Sequence, residues 1–502
     1  MKKSTLTIAT LVALTSTSAS AFDYFFQTGR SMGYGSAGTT YAHWSAAANY
    51  NPALIGSAAG TEEDFFFVLN GSLRVNEQND AIDTMDQFSE DTESFDGFSD
   101  VDLLEGDKAA LQNNVDTANQ LVTSVEKLDG AGMNLGLGIN GGLGMSFETF
   151  AMSFQVNTQV VVGGTVNIAE EDTSMFRRFT ELGQVLIDDV RPLYDDLKVK
   201  EAELAAIQES YEAGNATQDD INDAQLLVDE AEAIAEDAKN TQVGIETDFA
   251  DIFDTETQSI TFNDEDLKSN TRFAAIGWAE AGMTLGSNWK LDGGKVLSVG
   301  ATFKAVHLEF YDYQASTAGF DEDNLDGDAY KSEEDFVTAD IGAILALDSA
   351  DKWRVGISVK NLNGVTITTN PAGLQAGQEE LIFEVKPQVR IGTSYNGGWY
   401  RLAADVDVTE SKGPHYADGT EFFKGTQYAS LGAIINAWDF IELRVGYRHN
   451  LITTDELAAR TSEADGLVTA GAGIYLGPVQ FDLGLQASEE EVGGGLQAMI
   501  TW

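Results

Sequence analysis

The 502-residue chain contains no cysteine, which excludes disulfides, thiolate metal centres and cysteine nucleophiles. Histidine is nearly as scarce: His43, His307, His415 and His449 leave little machinery for proton transfer at neutral pH. Basic residues number 29 against 81 acidic ones, a formal net charge of -52. From Val75 to Asp107 there is no Lys or Arg, and from Glu201 to Asp266 there is only Lys239. Such segments repel a phosphate backbone, so no direct nucleic-acid partner is expected. Two readings of them stand: solvated acidic loops and cation binding. Also missing is any uninterrupted apolar run of roughly 18 residues, so no helical membrane span is expected.

What is present begins with Lys2-Lys3, a short apolar run from Leu6 to Leu14 and Ala19-Ser20-Ala21 before Phe22. That layout predicts a secretory signal peptide over 1–21, cleaved near Ala21. The organising signal lies further on. Met133, Leu135, Leu137, Ile139, Leu143, Met145 and Phe147 are apolar at odd positions; beyond Glu148-Thr149 the apolar set shifts to Phe150, Met152, Phe154 and Val156. A period of two that reverses at a tight turn is a β-hairpin with one apolar face. Its other face is too polar for a sandwich core and too glycine-rich for an ordinary wet surface. A closed transmembrane barrel satisfies both faces.

Fourteen candidate strands follow the same alternation, from Phe65–Val75 to Gly493–Trp502, with Ile382–Tyr395 read as a single strand. Alternate connections are short: Glu148-Thr149, Ser287 to Lys295, Asp348 to Lys352, Asn396 to Gly398, Trp438-Asp439 and Gly477-Pro478. Short turns at one end and longer loops at the other match an antiparallel outer-membrane barrel with periplasmic termini, in a Gram-negative envelope. Trp289, Trp353, Trp399, Trp438 and Trp502 all fall at the short-turn end, where an aromatic girdle is expected. The fold class is therefore all-β membrane, a 14-stranded barrel with helical loop insertions, surrounded by outer-membrane lipid.

The segment 22–60 precedes the strands and carries Arg30-Ser31-Met32-Gly33-Tyr34-Gly35, then Asn51-Pro52-Ala53. Its Gly33-x-Gly35-x-x-Gly38 spacing fits a dinucleotide fingerprint only on paper, because no strand precedes it in a βαβ unit. The run resembles the N-terminal hatch of FadL-type outer-membrane proteins, an R-S-M-G-x-G-x-A element followed by N-P-A. That resemblance implies a plug inside the barrel (Arg30, Ser31, Met32, Gly33, Gly35, Asn51, Pro52, Ala53) and passive passage of hydrophobic small molecules. For Asn51-Pro52 a simple turn is the plainer reading.

Parity sorts the lumen. With Trp353, Val355, Ile357 and Val359 facing lipid, Arg354 and Lys360 face inward; with Tyr400, Leu402, Val406 and Val408 outside, Arg401, Asp405 and Asp407 are inside; Glu442, Arg444 and Arg448 join them, as do Asp340 and Asp482. Charges facing lipid near the midplane would cost roughly 2–4 kcal/mol each for Arg or Lys. Two roles stand for this set, a structural ion-pair network and a substrate-selective lining. Pro387, inside the expected strand Ile382–Tyr395, marks a bulge or local opening.

Three loops exceed a minimal barrel. Leu103–Leu128 is helix-like, and Phe179–Asp237 reads as a helical hairpin broken at Gly214-Asn215 and restarted by the N-cap Thr217-x-x-Asp220. It is either a lid over the mouth or a handle for a protein partner on the cell surface. In the third, Glu322, Asn324, Asp326, Asp328 and Glu333 have the oxygen spacing of a calcium loop, without evident flanking helices. Calcium is the one cofactor the sequence raises.

Finally, Tyr311-Asp312-Tyr313, Trp353-Arg354-Val355-Gly356, Lys360-Asn361-Leu362, Lys386-Pro387-Gln388, Leu402-Ala403-Ala404-Asp405 and Leu443-Arg444-Val445-Gly446-Tyr447-Arg448-His449-Asn450 resemble the conjugal-transfer TraF family of FadL-like barrels. The organisation expected is signal peptide 1–21, hatch 22–60 and barrel 61–502, with helical insertions at about 101–130 and 172–256. Two functions stay open: passage of hydrophobic small molecules, and a non-enzymatic surface component associated with conjugal transfer. A hydrolase would need a Ser–His pair in the wall, and no serine motif singles itself out near His307 or His449.

Overall fold

The computed structural model describes residues 26–502 apart from 79–80, 95–107, 251, 255–258, 261–266, 317–327, 375–377, 423–424, 439, 453–465 and 490. The signal-peptide segment and the calcium-loop positions Glu322, Asn324 and Asp326 lie outside the described residues.

Fourteen strands close into one antiparallel barrel in which every strand pairs with its sequence neighbours and the first pairs with the last. They are β1 (Phe65–Gln78), β2 (Gly132–Ser146), β3 (Ala151–Asn167), β4 (Asn270–Lys290), β5 (Val296–Ser316), β6 (Lys331–Ala346), β7 (Trp353–Lys360), β8 (Gln388–Asn396), β9 (Tyr400–Asp407), β10 (Tyr428–Trp438), β11 (Ile441–Asn450), β12 (Gly466–Leu476), β13 (Val479–Ala487) and β14 (Glu491–Thr501). Closure removes the unpaired edges that hydrocarbon would not tolerate. The alternation sets the register: Leu137, Ile139, Leu143 and Met145 on β2 face outward, while Asn134 and Asn140 are buried inside. All five girdle tryptophans are exposed at the short-turn end. Trp502 stacks on Phe65 at 4.3 Å between ring centroids, where β14 meets β1.

The wall is lopsided. β4 and β5 run for 21 residues each, whereas β7 and β9 have only 8, and roughly 9–11 suffice to cross a bilayer. The tall side therefore stands well above the lipid on the long-loop face.

One expected strand is two. Ile382–Tyr395 breaks at Pro387, which has no N–H for a barrel ladder. Ile382–Val385 leaves the wall to pair with Val365–Thr368 in a separate two-stranded sheet, and only Gln388–Asn396 belongs to the barrel.

The helical insertions form as the periodicity predicts, with wider bounds. Lys108–Lys127 is one helix, and Ala81–Ser94 is a further one that the sequence reading missed. Glu170–Val185, a π-helical turn at Leu186–Val190 and Arg191–Glu212 run without interruption into the turn at Gly214, where φ is +70°. Thr217 and Asp220 then cap Gln218–Asp248 reciprocally. At 1.5 Å per residue that 31-residue helix is about 46 Å long. Leu182, Ile245, Phe249 and Ile252 close the base of the hairpin in a small core.

Candidate functional site

Residues 26–60, the expected hatch, lie inside the barrel and run around its inner wall as a belt. Thr28 and Ser31 form a capping box that opens the short helix Gly29–Met32, and Tyr50 Oη donates to Ser31 Oγ at 2.6 Å, tying the two ends of the hatch together. Asn51 Nδ2 donates to the Thr39 carbonyl (2.9 Å) while its Oδ1 accepts from Ala53 N (3.0 Å). Asn51-Pro52-Ala53 is thus a turn, closed by the Asn51 side chain, that leads into the short helix Ala53–Ser57.

Glycines in the wall make room for the belt. Gly286, Gly300, Gly342, Gly356, Gly392, Gly432, Gly446, Gly471, Gly484 and Gly495 each lie where an added Cβ would collide with hatch atoms. Most are cross-strand neighbours, as in Gly286–Gly300–Gly342 and Gly471–Gly484–Gly495. A Cβ on Gly342 would overlap the Asn51 oxygen, one on Gly300 the Pro52 carbonyl, and one on Gly471 would stand 2.8 Å from the Gly33 Cα. Gly35, at φ +69°, sits against the backbones of β10 and β11 and donates its N–H to Thr469 Oγ1 at 2.9 Å. Met32 is buried against Gly484. The glycine content that looked odd for a wet surface is a socket.

Ion pairs and hydrogen bonds fix the belt at separate points. Arg30 donates to both Glu442 oxygens at 3.1 and 3.2 Å; Glu442 also accepts from Arg444 (2.6 Å) and Tyr475 Oη (3.0 Å), and Arg444 reaches Asp482. Asp405 accepts from the Thr39 N–H and hydroxyl, both at 2.8 Å, and Lys360 donates to the Asn49 carbonyl at 3.2 Å. Arg401 bonds the Tyr41 hydroxyl. Asp407 is held by Arg390, Asp340 by Lys304 at 3.0 Å, Arg354 pairs with Asp351 at the short-turn end, and the Arg448 guanidinium lies 3.8 Å over the Tyr428 ring. Of the lumen residues expected from parity, Lys360, Arg401, Asp405 and Glu442 bond residues 30–49 directly, and the others pair with one another or with the wall.

At the short-turn end His43 Nδ1 accepts from Ser45 N and Oγ, so its other nitrogen carries the proton and donates to Glu63 Oε2 at 3.0 Å. Trp44 Nε1 donates to the same oxygen at 2.8 Å. The bond from His43 holds Glu63 down to a pKa of about 2, and burial lowers that of His43. Ser, His and Glu here match a hydrolytic triad in composition. They do not match it in access, because Ser45 is 3% exposed and Nδ1 already caps its own turn.

Sequence reasoning missed the upper lumen, which is not uniformly polar. On β4 the inward run is Arg272, Ala274, Ile276, Trp278 and Glu280; on β5 it is Lys304, Val306, Leu308, Phe310 and Asp312. Apolar side chains are bracketed by two tiers of ion pairs, Arg272–Asp312 at 2.6 Å and Glu280–Lys304 at 3.0 Å. Onto this patch fold Ile367, Leu381, Phe383 and Val385 of the separate sheet, with Phe422 from the next loop, all buried. These loops rise from the short side of the wall and cross to the tall side. Arg272 holds them, donating to the Glu379 carbonyl at 2.9 Å and to Tyr416 Oη at 3.2 Å, under the rings of Tyr416 and Phe422. The signal was in the sequence: alternate positions reading R-A-I-W-E and K-V-L-F-D on consecutive strands.

The calcium positions gain no support from the described side chains. Glu333 pairs with the Lys331 ammonium at 2.6 Å, which also bonds Glu309 at 2.7 Å and so fills the space that a cation among His307, Glu309 and Glu333 would take.

Among solved structures, the chain is similar to the toluene transporter TodX of P. putida (9% identity, 95% of this chain and 98% of that one, TM-score 0.42). It is also similar to the monoaromatic hydrocarbon channel CymD (11%, 96% and 98%, 0.44) and to a Pseudomonas aeruginosa FadL homologue (8%, 96% and 99%, 0.42). No curated protein matches. With residues 26–60 belted into a closed 14-stranded barrel, and with residues 48–407 matching the family described as "F plasmid transfer operon, TraF, protein", the chain belongs to that TraF family.

Proposed function

We propose that this protein is a passive, non-enzymatic route for small hydrophobic molecules across the outer membrane, with 1–21 as its export signal, 22–60 as hatch and 61–502 as barrel. The observation that carries this reading is the apolar patch Val161, Ile276, Trp278, Val306, Leu308 and Phe310 inside the outer half of the lumen. A route for apolar solutes needs an apolar interior surface of this kind. The test is uptake of labelled apolar compounds by cells with and without the protein; equal uptake across a panel of sizes would refute the reading.

The family's description supports a second reading, a surface component associated with conjugal transfer. Its structural basis is the helical hairpin, where Val199, Tyr211, Ile221 and Leu226 are at least half exposed on an acidic stalk. Removing 191–248 would abolish mating contact on this reading and leave uptake intact; normal mating by the deletion would refute it.

A further inference from the structure

The patch on β4 and β5 is covered by side chains of a segment that does not belong to the wall. The segment 361–387 leaves β7 at Asn361, whose φ is +54°, and rejoins the barrel just after Pro387. Among its described residues the backbone pairs with itself and, at Ile382–His415, with the neighbouring loop; near its two ends it bonds the wall at Asn361–Asn363 and through the Lys386 carbonyl, which accepts from Gln388, and between them it meets the wall through apolar contact and the Arg272 bond to the Glu379 carbonyl. Phe383 is fully buried with its ring centroid 6.2 Å from that of Phe310.

We infer that the two-stranded sheet of Val365–Thr368 and Ile382–Val385 is a displaceable outer lid, and that Phe383 and its neighbours hold the place of an uncharged hydrophobic ligand on the inner wall. The inference rests on the transport reading and adds the ligand's charge and the gate. An apolar patch that a polar segment covered would be lost to water on opening; one covered by apolar side chains can exchange them for an apolar solute at little net change in buried surface. Charge is excluded by the border. Arg272 is engaged by Asp312, and Lys304 by Glu280 and Asp340, so a ligand carboxylate or sulfonate would have to displace a buried acid to find a cation. The ligand class is therefore neutral, of a size to replace one or two aromatic or branched side chains.

The absence of cysteine makes the test direct. In Phe383→Cys the single thiol is buried; adding the neutral dye phenylnaphthylamine is expected to speed its labelling by an impermeant maleimide, and the sulfonated analogue anilinonaphthalene sulfonate to leave it unchanged. In Phe310→Cys/Phe383→Cys, joining the thiols with a short methanethiosulfonate linker is expected to drop dye entry into intact cells to the level of cells lacking the protein, and reduction to restore it. Retention of the compact folded band on unheated gels shows that each variant is assembled. Equal dye entry with the linker closed, or labelling accelerated equally by the sulfonate, overturns the lid or the neutral-ligand claim while leaving transport intact. Entry of neither dye through the folded, reduced protein overturns the transport reading and this inference with it.

Discussion

At the scale of single residues, the belt turns glycine into a positional requirement. Gly342→Ala would push a methyl into the Asn51 oxygen, a misfit of about 1–3 kcal/mol. The temperature at which the folded band is lost should fall and the hatch should become open to protease, whereas Gly71→Ala, with nothing within 4 Å of its Cβ position, should change neither. Glu442 is a second such point: Glu442→Ala strands Arg30 and leaves Arg444 with Asp482 as its acid, and should lower stability to denaturant by about 3–5 kcal/mol. Acid should act on Glu63 and His43. Because the Glu63 pKa is depressed to about 2, its contribution is complete above about pH 4.5 and is lost as pH falls toward 2; His43, also depressed, begins to oppose docking below about pH 6.5. Melting of the folded band from pH 7 to 2 should therefore fall less steeply in Glu63→Gln than in the parent, and identical slopes would remove the clamp's role.

At the scale of elements, the strands were legible because a period of two is imposed by lipid on one face, and all fourteen follow from it. What parity could not show was departure from the wall. Ile382–Val385 alternates like a barrel strand because it too has one apolar face, turned to Phe310 and its neighbours instead of to lipid; only Pro387 hinted at the break. The inward charges were legible for a similar reason, since lipid excludes them, but their assignment to hatch contacts needed partners more than 300 residues away, such as Asn49 for Lys360. The helical hairpin has its own base core and its own caps. Its removal at 191–248 is accordingly expected to leave the heat-modifiable barrel band unchanged, and loss of that band would show that the hairpin braces the wall.

At the scale of the whole molecule, charge is divided between inside and outside. Arg272, Lys304, Lys360, Arg390, Arg444 and Arg448 are buried together with acids such as Glu280, Asp312, Asp340, Asp407, Glu442 and Asp482, so the interior is close to charge balance and the net charge of -52 is carried mainly by the solvent-facing surface. Height is divided as well, the tall β3–β5 side providing the apolar interior and the short β7–β9 side the loops that cross to it. The belt has a further consequence, which concerns time. Residues 29–35 meet β10 to β14, while residues 51–56 meet β4 to β6, so the part of the hatch that leaves the ribosome first awaits the strands that leave it last. Contacts such as Arg30–Glu442 span 412 positions, and long-range pairing of this kind is slow to form. Until the final strands arrive the hatch has half a seat, and a chain ending before β13 should keep Arg30 open to trypsin however well its other strands have paired.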